Sequence, residues 1–358
     1  MLKKDLQERA LPDILTFSNG EKVTDAASWE KRRSEILEEL QNEMYGRIPK
    51  KPTSIKFEEI SNDDFFCAGK ANLKKIMITC ELENGTFSFP VSYTMPVEKP
   101  KLTFVQINFR PQVPDTYQPT EELVDNGCAV LSFYYEDITT DNGDFSNGLA
   151  GVLFPDGIRH NSDDPGKIAM WAWAAMRVMD FIETLDELDS SKVVVIGHSR
   201  LGKTVLLTGA LDTRFMSAAS NDSGCCGAAI IRGKVGETYK DIHKSFGYWF
   251  CPKFEKYVFE EEVIPFDQHF LLSAIAPRKL YVASAEEDIW ADPKSEFLSC
   301  LAASEVYKLY GLSGLIHNNE YLTAPDCLHD GEIGYHVRKG LHYFSRTDWL
   351  YYLKYYLD

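Results

Sequence analysis

Nowhere in its 358 residues does this chain run eighteen apolar residues together, so no helix of it is expected to cross a membrane. The opening, Met1-Leu2-Lys3-Lys4-Asp5, also lacks the apolar stretch of a secretory signal; the expectation for the chain as given is the cytoplasm, or secretion if a leader precedes it. Basic residues are in short supply: 38 Lys and Arg stand against 54 Asp and Glu, a formal net charge of −16 spread along the chain. That disfavours nucleic acid and anionic membranes, which demand clustered Lys and Arg, and leaves a neutral or locally bound small ligand as the better partner. The eight cysteines are scattered and none forms a C-x-x-C pair, so neither a disulfide framework nor structural zinc is indicated. Adjacent Cys225 and Cys226 read as small buried apolar groups. No repeat, low-complexity tract or Pro/Ser/Gly linker divides the sequence. With 44% hydrophobic residues it can bury a large core. The expectation is one domain overall, with residues 1–50 as a helical extension packed on a core of 51–358.

What is present begins with Val193-Val194-Val195-Ile196, a run fit for a buried parallel strand, followed at once by Gly197-His198-Ser199-Arg200-Leu201-Gly202-Lys203. This reads as a serine on a tight strand-to-helix turn, where helix amides and dipole favour negative charge. Leu201 occupies the second glycine position of the common G-x-S-x-G elbow, and the glycine comes one residue later. The bland alternative is a serine that merely caps the next helix.

The flanking grammar is that of an α/β fold. A helix is expected over Ser28–Tyr45 behind a serine cap, and alternation from Ile55 to Tyr93 with Asn84-Gly85 as a hairpin turn suggests an antiparallel N-terminal edge. Strands then alternate with helices: strands at Leu102–Phe109, Cys128–Tyr135, Val193–Ile196, Met216–Ser220, Lys279–Ala285 and Ile333–Val337, with helices at Thr120–Asn126, from Pro165 through Leu185, Pro293–Tyr310 and Thr347–Leu357. That is the signature of a mostly parallel central sheet with helices on both faces.

A hydroxyl is a poor nucleophile at neutral pH, so Ser199 needs a histidine to take its proton and an acid to orient that histidine. α/β-Hydrolases carry these in the order Ser, acid, His. His342, in Lys339-Gly340-Leu341-His342, falls in the loop between the last strand and last helix, where that fold puts its base; His336 and His269 read as structural. Two aspartates qualify as the acid: Asp222 after one strand and Asp288 after the next, both facing one crevice. Asp292 is a weaker third and reads as a helix cap.

Gly-x-Ser-Arg-x-Gly-Lys, the Asp222-Ser223-Gly224 segment, Pro265-Phe266-Asp267-Gln268-His269 running into Ile275-Ala276-Pro277-Arg278, and a late Gly-x-His together resemble carbohydrate esterase family 15, the glucuronoyl esterases, over roughly Leu102 to Asp358. The resemblance implies an α/β-hydrolase with no metal or cofactor, with Ser199 as nucleophile, His342 as base, Asp222 at the family's usual acid position and Asp288 at an alternative one. It also implies Arg200 at the oxyanion and Lys203, Trp290 and Trp249 on the sugar. The chain departs from the pattern at His198, where the family usually has Cys, and at Asp222, where it has the longer Glu. Ser245–Lys253 keeps the Trp-Phe core but lacks the Gln and Glu that meet the sugar. The expected activity is hydrolysis of a carbohydrate ester, glucuronoyl or acetyl, on xylan-derived oligosaccharides. Rival readings are a peptidase or lipase on the same fold, disfavoured by Arg110-Pro111 in place of a His-Gly motif, and a hydrolase-fold carbohydrate binder without catalysis.

Overall fold

The computed structural model describes residues 2–358, the Glu262 side chain excepted. Among these residues one sheet runs through β1 (Ser54–Phe65), β2 (Ala71–Leu82), β3 (Gly85–Pro96), β4 (Leu102–Asn108), β5 (Cys128–Tyr134), β6 (Val193–His198), β7 (Ser217–Asn221), β8 (Lys279–Ala285), β9 (Asp326–Leu328) and β10 (Ile333–Arg338). Their spatial order is β1-β2-β3-β5-β4-β6-β7-β8-β10-β9. From β5 to β10 every pairing is parallel. β1, β2 and β3 join antiparallel at one margin and β9 at the other.

β6 shows why both faces must be covered. Side chains alternate along a strand, so an all-apolar strand needs packing above and below it. Val193 and Val195 enter the larger core with Trp171, Trp173, Leu206 and Phe297, whereas Val194 and Ile196 enter a smaller one with Phe104, Trp349 and Tyr352. The Lys167–Ile182, Arg200–Leu211 and Pro293–Lys308 helices cover the first side and Arg346–Leu357 the second. Most aromatic residues of these helices, Trp171, Trp173, Phe181, Phe297, Tyr307, Trp349, Tyr352 and Tyr355 among them, are core.

Several boundaries differ from the sequence expectation, each for a local reason. Ser28 is not the cap of its helix. Asp25 is: its carboxylate accepts from the Ser28 backbone N–H at 2.8 Å while Ser28 Oγ accepts from the Asp25 N–H at 3.1 Å, and the helix runs Ala26–Leu40 before a single π turn over Gln41–Tyr45. The β2–β3 turn falls on Glu83 and Asn84, since Leu82 pairs with Gly85. The long helix begins after Gly166, not at Pro165, and stops at Ile182. Among the elements that escaped the sequence reading are the Gly148–Leu153 and Tyr239–Phe246 helices and the short β9. No helix among the described residues is long and apolar enough to cross a membrane.

Candidate active site

Ser199 sits in the turn between β6 and the Arg200–Leu211 helix with φ +58° and ψ −125°, a conformation that costs a non-glycine residue on the order of 1–3 kcal/mol. Its side chain makes no cap hydrogen bond to the helix, so the capping alternative fails. The turn is held because the Ser199 N–H donates to the Asn221 carbonyl at 2.8 Å. Two glycines let the chain turn this tightly. A Cβ on Gly197 would stand 2.5 Å from the Leu201 carbonyl oxygen, and one on Gly202 would stand 2.9 Å from Ser223 Cβ. The displaced glycine of the motif thus lies where the new helix brushes the end of β7, while Leu201 is free to be core.

β6, β7, β8 and β10 are neighbours and parallel, so the loops after them meet at one rim of the sheet. They deliver Ser199, Asp222, Asp288 and His342 to a single cavity of about 310 Å³. Asp288 Oδ2 accepts from His342 Nδ1 at 2.6 Å. That bond fixes the ring so that Nε2 is the free nitrogen. Burial raises the Asp288 pKa, but the hydrogen bond and charge of His342 outweigh it and hold the carboxyl below its usual range.

Asp222 is close but otherwise engaged. One ligating atom from each of Asp222, Asp288 and His342 lies within 4.8 Å of the others. Yet Asp222 Oδ1 accepts from the Ala285 N–H at 2.6 Å and Oδ2 from Arg338 Nη2 at 3.1 Å. Burial first, then the carboxylates of Glu296 and Asp348, push its pKa well above the usual value against the pull of Arg338. Of the two candidate acids, Asp288 is the one bonded to the imidazole.

The cavity walls carry the other expected residues. Arg200 pairs with Asp141 and lies over the Trp249 ring at 4.8 Å; its Nε is buried without a partner. Lys203 is buried and its ammonium donates to the Ser223 carbonyl at 2.5 Å. Trp249 donates to Asp141 at 2.7 Å and stacks on Phe246, while Trp290, 56% exposed, also lines the cavity. Asp292 caps its helix through the Ser295 N–H, His336 bonds Asp348 in the interior, and His269 bonds the Pro12 carbonyl, all outside the cavity. Sequence reasoning missed Asp141, the anchor of both Arg200 and Trp249, which nothing local marks. It also missed Glu237, which lines the cavity from the loop before the Tyr239–Phe246 helix. The capping box of Thr238 and Asp241 was the available signal for that helix.

Comparison with known proteins decides the family. A profile described as "Glucuronyl esterase, fungi" matches residues 78–311. The carbohydrate esterase MZ0003 of an unknown prokaryotic organism is 33% identical over 96% of this chain and 88% of its own. This chain belongs to the glucuronoyl esterase family. The solved glucuronoyl esterase from Solibacter usitatus superposes with a TM-score of 0.89 at 33% identity, covering 97% of each chain. The 4-O-methyl-glucuronoyl methylesterase 1 of Wolfiporia cocos is 28% identical over 89% of this chain and 78% of its own. The residue in which this glucuronoyl esterase family member departs at the elbow, His198, is buried with Nδ1 2.7 Å from Asn221 Oδ1 and its ring 4.4 Å from that of His342. Burial and then the charge of His342 lower its pKa to about 3, so a neutral ring backs the second imidazole.

Proposed function

We propose that the protein hydrolyses carboxylic esters of glucuronic acid, such as the 4-O-methyl-glucuronoyl esters named for its relatives, on xylan-derived oligosaccharides. The observation that carries this is the His342–Asp288 hydrogen bond of 2.6 Å in the cavity that also holds the strained, uncapped Ser199. Ser199 Oγ attacks the ester carbonyl as its proton passes to His342 Nε2. The imidazolium, held by Asp288, returns that proton to the departing alkoxide, leaving an acyl-enzyme. Water then attacks with His342 again as base, and the uronic acid leaves. The Arg200 backbone amide, at the helix N-terminus next to Ser199, is placed to receive the developing oxyanion.

The acyl side favours a uronoyl over an acetyl ester. An acetyl group is a methyl and a carbonyl, whereas this cavity of about 310 Å³ offers Lys203, Glu237 and the exposed face of Trp290, a set suited to a ring of hydroxyls. Purified protein is expected to release methanol from the methyl ester of 4-O-methyl-glucuronic acid faster than acetate from acetylated xylo-oligosaccharide. Ser199→Ala is expected to cut that turnover by about 10⁶-fold and abolish fluorophosphonate labelling. Turnover retained by the variant overturns the nucleophile, and faster acetate release overturns the substrate.

A further inference from the structure

Arg338, the last residue of β10, directs both terminal nitrogens of its guanidinium at the loop that carries the base. Nη1 donates to the carbonyls of Lys339 at 3.1 Å and Leu341 at 3.0 Å, and Nη2 donates to the carbonyl of Tyr343. These three acceptors alternate with Gly340 and His342 along the turn, so the cation gathers the backbone on both sides of the imidazole. Gly340, at φ +99°, allows the chain to curl round it. The fork is itself aimed by two buried carboxylates: Asp348 accepts from Nε at 3.0 Å on each oxygen, and Asp222 accepts from Nη2 at 3.1 Å.

Asp348 is rooted in the last helix, where it caps through the Ser345 N–H at 2.7 Å and also receives His336 Nε2 at 2.9 Å. Asp222 is rooted in the sheet, through its own N–H to the Ala283 carbonyl and through Ala285 N–H to its Oδ1. Arg338 therefore ties the base-bearing loop to the end of β7 on one side and to the C-terminal helix on the other. A lysine could not do this, because only the planar five-donor fork spans so many acceptors.

We propose that Asp222 is a positioning residue that acts on His342 through Arg338, and that Arg338 is the clamp setting the imidazole's place relative to Ser199. This rests on the catalytic reading of Ser199, His342 and Asp288 above. Asp222 neither receives the imidazole proton nor needs to face it, since Asp288 already occupies Nδ1.

The test is a double-mutant cycle of Asp222→Asn and Arg338→Gln in the full chain, read as the rate of fluorophosphonate labelling and as kcat and KM on the uronate methyl ester. Labelling needs only the serine and its base, so the cycle stands even where the assigned ester proves wrong. Each single change is expected to lower labelling and kcat by about 10- to 100-fold, the cost of a displaced catalytic group, with KM within about twofold. The double variant is expected to be no slower than Arg338→Gln alone. If Asp222→Asn costs the same factor in both backgrounds, Asp222 works directly on the imidazole and the proposal fails. If Arg338→Gln does not fold, Arg338→Lys decides: it keeps the charge between the two carboxylates but frees the loop carbonyls. A folded Arg338→Lys with wild-type kcat overturns the clamp; lowered kcat at unchanged KM upholds it.

Discussion

At the scale of single residues, the site is a contrast between two aspartates in the loops after adjacent strands. Asp288 accepts from an imidazole and stays below the usual carboxylate range; Asp222, fully enclosed and surrounded by other carboxylates, is pushed above it. An acid that stabilises an imidazolium must be charged, so Asp288→Asn is expected to lower kcat by about 10³- to 10⁴-fold on the uronate ester, as loss of the correct tautomer does in serine hydrolases. A loss below tenfold would remove Asp288 from the triad. The same three side chains have the spacing of a cation site, at 4.8 Å. Asp288 is bonded to His342 and Asp222 to Arg338, and these partners serve in place of an ion, so dialysis against EDTA is expected to leave kcat unchanged. Activity restored only by added divalent metal would contradict that.

At the scale of elements, the parts of the fold that were legible were those with a strong period or a strong break. β8 was read at its observed limits because an apolar run lies between charged ends, and the elbow because four β-branched residues precede a glycine. The Ser28 cap was misplaced because a capping box is symmetric in sequence: either Asp25 or Ser28 could lead, and only the backbone angles tell which does. Within the site, Ser199 and His342 were marked by motif and chain order. The choice between Asp222 and Asp288 was not, because both stand at strand ends and only side-chain partners separate them.

Two junctions between elements can be probed. Glu43, on the π turn, binds Lys253 at 2.7 Å, Lys256 at 2.5 Å and the Tyr257 hydroxyl at 2.7 Å. Burial raises its pKa, but these partners win and lower it from 4.5 to about 2. A depressed carboxyl contributes stability that is full above its unfolded value and is lost as pH falls through the folded one. Glu43→Gln is therefore expected to cost about 1–2 kcal/mol at pH 7, after allowance for solvent near the lysines, and nothing once pH falls below about 2. Thermal melts of both proteins across that range check it; a gap that persists in acid would show that packing, not charge, is lost. At Gly166 a Cβ would fall inside van der Waals contact with the Trp249 carbonyl. Gly166→Ala is expected to destabilise by about 1–3 kcal/mol and, by shifting the ring beneath Arg200, to lower kcat more than KM. A variant as stable and active as the parent would dissociate that contact from the site.

For the molecule as a whole, the −16 net charge means that a site releasing a carboxylate product works in a repulsive field, in which Arg200 and Lys203 are the cations of the cavity wall. The other property of the whole is how the first fifty residues relate to the rest. Leu2, Ile14, Val23, Trp29, Ile36, Leu40, Met44 and Tyr45 are buried in the same core as the parallel strands. Arg33 donates to the carbonyls of Ala274 at 2.6 Å and Ala210 at 2.5 Å, and the Tyr45 hydroxyl donates to the Cys226 carbonyl, four residues beyond Asp222, at 2.8 Å. Trp29→Ala alone should cost about 3–5 kcal/mol, a large share of the roughly 5–15 kcal/mol that holds a typical domain together. Removing residues 1–50 takes away all of these buried side chains at once and exposes the core they cover, so a protein of residues 51–358 is expected to show no cooperative melt and no fluorophosphonate labelling. Should it instead fold cooperatively and label at the parent's rate, the N-terminal segment would be an appendage to a core that is complete without it.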